Sequence, residues 1–404
     1  MIKNNLNFLN NIQKKNLDSK SIKKFTKLFP KIFSKVFTDI NSSKKTLNIL
    51  NRKFNFNFEF KDLEKFKSFK TIAIIGMGGS ILGSEAVSHF LKEKINKKIY
   101  FFNDLNIKKI QNFKKKKNLN KVLFFVISKS GNTVETLSNF FTLQIIKKNS
   151  KNIIIISEKK NNLLYSLSKK FNLFYIEHKN YIGGRYSVLS EVGVVPAYLM
   201  GININKLRSG SLKSLKKTQF FLKDSTIMLS SLLSFKKIDN LIFLNYCPEL
   251  EKFLFWCQQL IAESLGKNGK GFLPTISNAP KDHHSLLQLY LDGPKNKLFY
   301  IFSHEESSKE KINIKEILKE KNFLNNKTLS SIKKAQKNAL IKTLKNKNIP
   351  FREFKIKNIN EEVLGELFSY FILETVIIGK LTNINPFDQP AVEQVKIYTK
   401  DLLN

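Results

Sequence analysis

Short, continuous apolar runs recur along the chain, many of them about twenty to thirty residues apart. A first series occupies residues 71–75, 98–102, 122–127 and 153–156, and a second occupies residues 240–244, 297–302 and 351–356. Apolar runs of this length are typical of strands that are buried on both faces of a parallel sheet and joined by crossover helices. The pattern therefore predicts an α/β protein with two doubly wound, parallel-sheet domains.

The segments around the two series predict the domain boundaries. We assign residues 61–200 to the first sheet domain, 201–235 to a helical linker and 236–384 to the second sheet domain. Residues 1–60 are polar with apolar residues at helical spacing, which predicts a helical N-terminal segment. Residues 385–404 predict a C-terminal helix.

The charge of the chain is strongly basic, at +38, and lysine supplies 66 of its 70 basic residues. Proteins that read bases in a nucleic-acid groove favour arginine, whereas these lysines are dispersed along the whole chain. We therefore expect no specific nucleic-acid partner, although the positive field should attract anionic small molecules. The highly charged run 305–348 is typical of a helix whose side chains face solvent.

Cysteine usage and hydropathy predict a cytoplasmic protein. The two cysteines, Cys247 and Cys257, are too few for a disulfide framework and lack the spacing of a metal site. No apolar run approaches the length of about eighteen residues that a membrane span needs. The N-terminus lacks the apolar segment of a signal peptide, so we expect no membrane partner.

Residues 128–136 read Ser-Lys-Ser-Gly-Asn-Thr-Val-Glu-Thr and directly follow the apolar run 122–127. A buried strand that ends in such a turn and opens a helix presents free backbone N–H groups and the positive end of the helix dipole to an anion. The hydroxyls of Ser128, Ser130 and Thr133 would add donors. This phosphate turn predicts an anion site, with an ordinary capped strand-to-helix turn as the alternative.

Residues 76–83, the glycine turn, read Gly-Met-Gly-Gly-Ser-Ile-Leu-Gly after the run 71–75. The glycines allow the backbone to approach a ligand closely, and Ser80 could cap the helix that follows. A dinucleotide fingerprint needs a glycine where the chain has Ile81, and no G-x-x-x-x-G-K-[ST] motif occurs. Two turns of this kind favour a small phosphorylated ligand over a nucleotide.

Three segments carry candidates for proton transfer and charge stabilisation. Glu263 ends an apolar helical pattern, where a partly desolvated carboxylate suits a general base and a plain helix-terminal glutamate is the alternative. His283 and His284 begin another apolar helix; a structural role is the alternative to catalysis, and a metal site is disfavoured because adjacent helix positions point about 100° apart. Arg185 follows two glycines, which suits either an oxyanion-binding role or a surface loop.

Near the C-terminus, Gln389 opens a predicted helix, and Lys396 lies two turns later on the same face. Because Lys396 is one lysine among 66, a solvated surface charge is the alternative to a functional role.

Five segments together resemble the phosphoglucose isomerase family. In order from Gly76 to Lys396 they read Gly-Met-Gly-Gly-Ser, Ser-Lys-Ser-Gly-Asn-Thr-Val-Glu-Thr, Gly-Gly-Arg-Tyr-Ser, Glu-Ser-Leu-Gly-Lys and Asp-Gln-Pro-Ala-Val-Glu-Gln-Val-Lys. The resemblance implies two sugar-isomerase domains of the flavodoxin-like type, a homodimer and no cofactor. It also implies reversible isomerisation of D-glucose 6-phosphate and D-fructose 6-phosphate through a cis-enediolate.

The resemblance implies a role for each matched residue. The phosphate would be held by Ser128, Lys129, Ser130 and Thr133, and the sugar would be lined by Gly79 and Ser80. The base would be Glu263, the ring-opening pair His284 and Lys396, and the stabiliser of developing negative charge Arg185. Supporting contacts would come from Gln259, Gln389 and Glu135. The sequence His-Ser-Leu-Leu-Gln-Leu, which begins at His284, favours His284 over His283 as the matched histidine of the family. The resemblance implies that this histidine enters the site from the partner subunit.

Two alternative functions stay open at this point. Relatives with the same domains isomerise mannose 6-phosphate as well, or bind sugar phosphates only to regulate. A regulator would keep the phosphate turn without a base, so the joint presence of Glu263, Arg185, His284 and Lys396 argues against it. The isomerase hypothesis agrees with the chemistry of these residues, because a single carboxylate can move the proton between neighbouring carbons if a cation holds the enediolate.

Overall fold

The computed structural model of the protein describes residues 6–217, 219–235, 237–306, 308–314 and 322–403. In these ranges the strands are β1 (Leu6–Asn11), β2 (Thr71–Gly76), β3 (Lys98–Phe102), β4 (Val122–Ile127), β5 (Ile153–Ser157), β6 (Phe174–Glu177), β7 (Asn240–Asn245), β8 (Leu273–Asn278), β9 (Lys297–His304) and β10 (Phe351–Ile356). The helices are α1 (Ser19–Asn41), α2 (Phe60–Leu63), α3 (Leu82–Phe90), α4 (Ile107–Lys116), α5 (Val134–Leu143), α6 (Leu163–Lys170), α7 (Glu191–Met200), α8 (Ile204–Lys217), α9 (Gln219–Phe235), α10 (Glu251–Leu265), α11 (Leu287–Asp292), α12 (Leu329–Asn346), α13 (Glu361–Leu381) and α14 (Glu393–Asp401).

The first sheet is parallel throughout, in the order β3-β2-β4-β5-β6. β4 and β5 are buried along their whole length, which is why their sequences are continuously apolar. The chain adds β3 on one side of β2 and then crosses to the other side to add β4. The order in which strands are added to the sheet therefore reverses at β2. The glycine turn leaves β2 and the phosphate turn leaves β4, so both lie at the crevice where such sheets bind ligands.

The second sheet has the order β1-β10-β9-β7-β8, and all its strands are parallel except β1, which runs antiparallel to β10. Here β7 lies between β8 and β9, so this sheet has its own reversal point at the carboxyl ends of β7 and β9. The long helix α13 is buried along almost its whole length and packs against α8, α9, α10 and α1. The sheets are therefore joined through a shared helical core.

All seven apolar runs form strands, and the predicted α/β class with two doubly wound sheets is confirmed. The strands β1, β6 and β8 are not in the prediction. Each is at the edge of its sheet and mixes buried with exposed or partly buried positions, so none presents a continuous apolar run. Pro274 in β8 is a further reason, because proline is tolerated in edge strands but weakens a sequence-based strand assignment.

The spacing of its apolar residues predicts a helical N-terminal segment. In the structure this segment is not purely helical. Residues 6–11 form β1, whose Leu6 is buried and pairs in register with Ile356. The side-chain oxygen of Asn10 accepts a hydrogen bond from the buried guanidinium of Arg352 at 3.1 Å. Contacts between residues so distant in sequence leave no local pattern. The helical spacing later in the segment corresponds to α1.

The prediction of one solvent-exposed helix over residues 305–348 is wrong in part. Helix α12 begins only at Leu329, and residues 323–326 form turns, whereas residues 307 and 315–321 lie outside the described residues. The Asn325 side chain accepts a hydrogen bond from a backbone N–H at 3.1 Å, and bonds of this kind compete with helix formation. Helix α12 also buries a lysine and two leucines, so it is not fully solvated.

The C-terminal residues form a single helical turn, Pro390–Val392, followed by α14. Every described residue from 388 to 403 is exposed, including the apolar side chains of α14. No helix in the described ranges is long and apolar enough to cross a membrane. The domain boundaries drawn from the sequence stay predictions.

Candidate active site

The phosphate turn holds three hydroxyls close together after β4. The Oγ of Ser128 lies 2.8 Å from Oγ1 of Thr133 and 3.5 Å from Oγ of Ser130. The backbone N–H of Gly131 donates to Ser128 at 3.1 Å and that of Asn132 donates to Ser130 at 3.2 Å. The turn is therefore internally ordered, and helix α5 begins within it, directly after Thr133, with its positive dipole end towards the hydroxyls.

Gly131 is required by the shape of the phosphate turn. Its φ is +69°, in the left-handed region, and a Cβ there would lie 1.8 Å from the Oδ1 of Asn162. Asn162 itself caps α6 by accepting the N–H of Tyr165 at 2.9 Å. The phosphate turn is thus fixed against the start of α6.

Lys129 lies at the side of the phosphate turn. Its Nζ donates to the carbonyl of Asn180 at 2.8 Å and is 3.6 Å from the carboxylate of Glu158. Burial lowers the pKa of Lys129, and the charge of Glu158 opposes that shift. The side chain keeps a third of its surface exposed, which leaves the ammonium accessible to an anion.

The glycine turn packs against a second glycine turn from later in the chain. A Cβ on Gly79 would lie 2.1 Å from the carbonyl carbon of Gly184, so this contact requires a glycine. A Cβ on Gly78 would lie 2.7 Å from Nε2 of Gln259. Ser80 does not cap α3 as the sequence predicts, because that helix starts after Ile81 without a side-chain cap. The turn therefore brings Gly79, Gln259 and the segment of Arg185 together.

Arg185 is buried, with 2% of its surface exposed, so the surface-loop alternative is wrong. Its Nε donates to Oγ of Ser264 at 2.7 Å, and its Nη2 donates to the carbonyls of Pro386 at 2.7 Å and Asp388 at 3.0 Å. Its Nη1 donates to Oε2 of Glu263 at 3.2 Å and also to the side chain of Gln389. The guanidinium is thus held rigidly with one edge towards Glu263.

Glu263 lies in the last turn of α10 between two donors. Its Oε1 accepts from Nε2 of Gln259 at 3.0 Å, and its Oε2 accepts from Arg185. The side chain keeps 30% of its surface exposed although Arg185 is buried. The carboxylate is therefore oriented by the protein and still open to a ligand, as a general base must be.

Three supporting residues are missing from the sequence prediction. Ser264 lies between Arg185 and Tyr186, whose hydroxyl is 2.9 Å from Oγ of Ser264 and donates to the carbonyl of Pro386 at 2.7 Å. The indole N–H of Trp256 donates to the carbonyl of Arg185 at 3.1 Å. Ser264 and Tyr186 are part of the quoted motifs, so their position next to Glu263 and Arg185 is the signal that could have found them.

The loop before the C-terminal helix is bound to the site, but the helix is not. The Nζ of Lys267 donates to the carbonyls of Asn385 at 2.5 Å and Asp388 at 2.6 Å and to the Asp388 carboxylate at 2.6 Å. The hydrogen bond from Lys267 lowers the pKa of Asp388. Gln389 thereby reaches Arg185, whereas Lys396 is exposed on α14 and pairs with Glu393 at 2.6 Å.

His284 is exposed at the end of the one-turn helix Lys281–His284 that follows β8. It has no hydrogen-bond or ion-pair partner in the part of the chain that the structure describes. Its neighbour His283 is half-buried, with Nε2 2.7 Å from the hydroxyl of Tyr246, and burial lowers the pKa of His283. A single chain therefore does not connect His284 with the Arg185 and Glu263 pair.

The remaining predicted residues have simple placements. Glu135 is half-buried in the first turn of α5, at the end of the phosphate turn. Both cysteines are buried and unbridged. Among the residues that the structure describes, no three His, Cys, Asp or Glu side chains cluster in a way that could hold a metal ion.

Comparisons with known proteins add the family context. The family model for phosphoglucose isomerase matches residues 33–404. A glucose-6-phosphate isomerase of Methanocaldococcus jannaschii is 33% identical over 349 residues, which cover 83% of this chain and 86% of that protein. A glucose-6-phosphate isomerase of Campylobacter jejuni is 30% identical, with the same 83% and 86% coverage.

Two solved structures have the same fold. A protein of Thermus thermophilus superposes with a TM-score of 0.81 at 21% identity, covering 98% of this chain and 100% of that chain. A glucose-6-phosphate isomerase of Chlamydia trachomatis superposes with a TM-score of 0.78 at 16% identity, covering 99% of this chain and 88% of that chain.

Proposed function

Since the chain belongs to the phosphoglucose isomerase family and is an aldose–ketose isomerase, we propose that Glu263 transfers the proton when it interconverts D-glucose 6-phosphate and D-fructose 6-phosphate. The observation that carries this assignment is the position of the Glu263 carboxylate. It is fixed by Arg185 and Gln259 on one side and open to a ligand on the other.

The reaction needs a base and a cation in one place. After ring opening, the proton α to the carbonyl is removed and returned to the neighbouring carbon, and negative charge develops on the oxygens of the cis-enediolate in between. Glu263 would carry the proton, and Arg185 would stabilise the charge. Because the hydrogen bonds of Arg185 are already in place, its guanidinium does not need to reorganise as the charge develops.

We propose that the phosphate turn binds the phosphate of the substrate. The hydroxyls of Ser128, Ser130 and Thr133 and the start of α5 supply neutral donors, and Lys129 supplies a charge at the side. Gly79 and Ser80 would then line the sugar between the phosphate turn and Glu263, with Glu135, Gln259 and Gln389 in supporting roles.

We further propose that the active form is a cytoplasmic homodimer that uses neither cofactor nor metal. His284 and Lys396 would open the ring, with His284 supplied by the partner subunit. Both residues are exposed in one chain, and neither contacts the Arg185 and Glu263 pair there, which supports completion of the site by a second copy.

The experiment is a coupled assay in which the wild-type chain is given D-fructose 6-phosphate and D-mannose 6-phosphate in parallel, the first reaction being repeated in D2O. We expect rapid formation of D-glucose 6-phosphate and partial deuterium incorporation at its C2, because the carboxylate exchanges its proton with solvent. No turnover of fructose 6-phosphate would contradict the isomerase function. Comparable turnover of mannose 6-phosphate would establish the bifunctional alternative.

A further inference from the structure

A cavity of about 390 Å³ lies at the carboxyl ends of β7 and β9, the reversal point of the second sheet. Its walls include Tyr246, which follows β7, Ser303 and His304 at the end of β9, and the first half of α12. Doubly wound sheets bind ligands at this position, and the volume is within the range of small-molecule sites. None of the residues assigned to isomerisation lines this cavity.

This cavity contains the same three residue types as the phosphate turn and its surroundings, a serine, a lysine and a glutamate, although here the lysine comes from α12. In the first sheet, a serine follows β4, and a lysine lies 3.6 Å from a glutamate just beyond β5. In the second sheet, β9 and β10 take the places of β4 and β5. Ser303 lies near the end of β9, and Nζ of Lys337 donates to the carboxylate of Glu353 in β10 at 2.7 Å and lies 3.5 Å from Oγ of Ser303.

Lysines outnumber glutamates around this cavity. Lys337 is only 8% exposed, and the Glu353 carboxylate that it contacts is also 3.4 Å from Nζ of Lys355. One buried carboxylate therefore faces two ammonium groups. Lys337 and Glu353 form a buried pair, whereas the side chain of Lys355 is 31% exposed, so its ammonium group shares that carboxylate and is still open to an anion.

The outer wall adds further ammonium groups. Lys333 pairs with Glu306 at 2.6 Å, whereas Lys334, one residue further along α12, has no acidic partner in the described part of the chain. Ser330, in the first turn of α12, also lines the cavity, where the helix presents its positive end. The cavity thus combines a hydroxyl, a buried ammonium group and an unpaired exposed one.

We propose that this cavity binds the phosphate monoester of a small polyol, separately from the substrate of the isomerase. The phosphate contacts Lys334, Lys337 and Lys355, which supply the charge-assisted hydrogen bonds that a dianion favours. Asn338 and Glu305, which also line the cavity, are placed to bind hydroxyl groups.

Calorimetric titration with sn-glycerol 3-phosphate tests the second site. In a Ser130→Ala/Thr133→Ala background, which weakens the phosphate turn, we expect about one equivalent to bind still. Adding Lys334→Glu should weaken this binding at least ~10-fold, because a carboxylate replaces an ammonium group beside the phosphate. Lys342→Glu, at an exposed position of the same helix outside the cavity, is the charge-matched control and should bind as the background does.

Equal affinities in the Lys334→Glu and Lys342→Glu chains, or no binding in the background chain, would overturn the proposal. The same two single substitutions in the otherwise wild-type chain should leave the turnover of fructose 6-phosphate unchanged. Because Lys334 is exposed, its replacement should not disturb folding. The proposal of a second site can therefore be disproved without affecting the isomerase assignment.

Discussion

Arg185 and Arg352 are both buried and both pair with a glutamate, yet their glutamates differ sharply in exposure. Glu263, the partner of Arg185, keeps 30% of its side-chain surface exposed. Glu374, the partner of Arg352, keeps only 2%. An arginine–glutamate pair therefore forms an open site at Arg185 and a closed one at Arg352.

The closed pair is surrounded by hydroxyls that satisfy it. Arg352 Nη1 donates to Ser225 at 2.6 Å, to Tyr300 at 2.8 Å and to Glu374 at 3.0 Å. The Tyr370 hydroxyl donates to Glu374 at 2.7 Å, and burial raises the pKa of both tyrosines well above the ordinary value, which keeps them protonated. This network holds strands and helices together and leaves no atom for a ligand.

The comparison teaches that access, and not charge, separates the closed, architectural ion pair from the open one, for which we propose a catalytic role. At Arg185 the carbonyls of a loop and one glutamine replace the tyrosines, and the glutamate is left with an open side. Four experiments test the two pairs and the site around the open one, beginning with the experiment of largest expected effect.

Arg352→Met should cost about 3–5 kcal/mol in the free energy of unfolding, because it leaves Glu374 buried without its partner. Urea unfolding followed by circular dichroism measures the loss. Turnover of the fraction that stays folded should be close to that of the wild type.

The matched control is Arg352→Met/Glu374→Leu, which removes both charges. This double variant should recover most of the lost stability, because two apolar side chains can replace a buried pair. If Arg352→Met were within about 1 kcal/mol of the wild type, the closed pair would have no architectural role.

Glu263→Gln should lower turnover at least ~100-fold while changing the free energy of unfolding by less than about 1 kcal/mol. The amide keeps the shape and loses the proton acceptor. Steady-state assays and urea unfolding of the same preparation give both quantities. Glu59→Gln, at an exposed glutamate, is the control and should match the wild type in both. Near-normal turnover of Glu263→Gln would remove this residue from the mechanism.

Ser130→Ala/Thr133→Ala should raise KM for fructose 6-phosphate about 10-fold and lower kcat far less, because phosphate is bound alike in the ground and transition states. Steady-state kinetics over a wide substrate range separates the two constants. Ser166→Ala, at an exposed position of α6, serves as the control. An unchanged KM would move the phosphate site away from this turn.

Mixed dimers test whether the open site needs a second chain. Homodimers of Glu263→Gln and of His284→Ala should each be weak. If His284 acts in the partner's site, unfolding and refolding the two variants together should recover about a quarter of wild-type activity, since half the chains enter dimers with one intact site. Recovery no greater than the average of the parents would show that His284 serves its own subunit.

Local patterns predict much of this molecule. The seven apolar runs predict seven strands because a buried strand needs a continuous apolar sequence wherever it lies. The phosphate turn is predictable for the same reason, since its glycine and hydroxyls are set by local backbone geometry. The edge strand β1 is not, because its assignment depends on β10, more than three hundred residues away.

The sequence by itself determined the seven strands formed by the apolar runs and which side chains are placed at the ends of β2 and β4. Only the tertiary structure decided that Arg185 is buried, because its partners Glu263 and Gln389 are 78 and 204 residues away along the chain. It also decided that Glu263 is open while Glu374 is closed, and that His284 and Lys396 are exposed in one chain. Exposure depends on what packs against a residue from distant parts of the chain, and no local pattern contains that information.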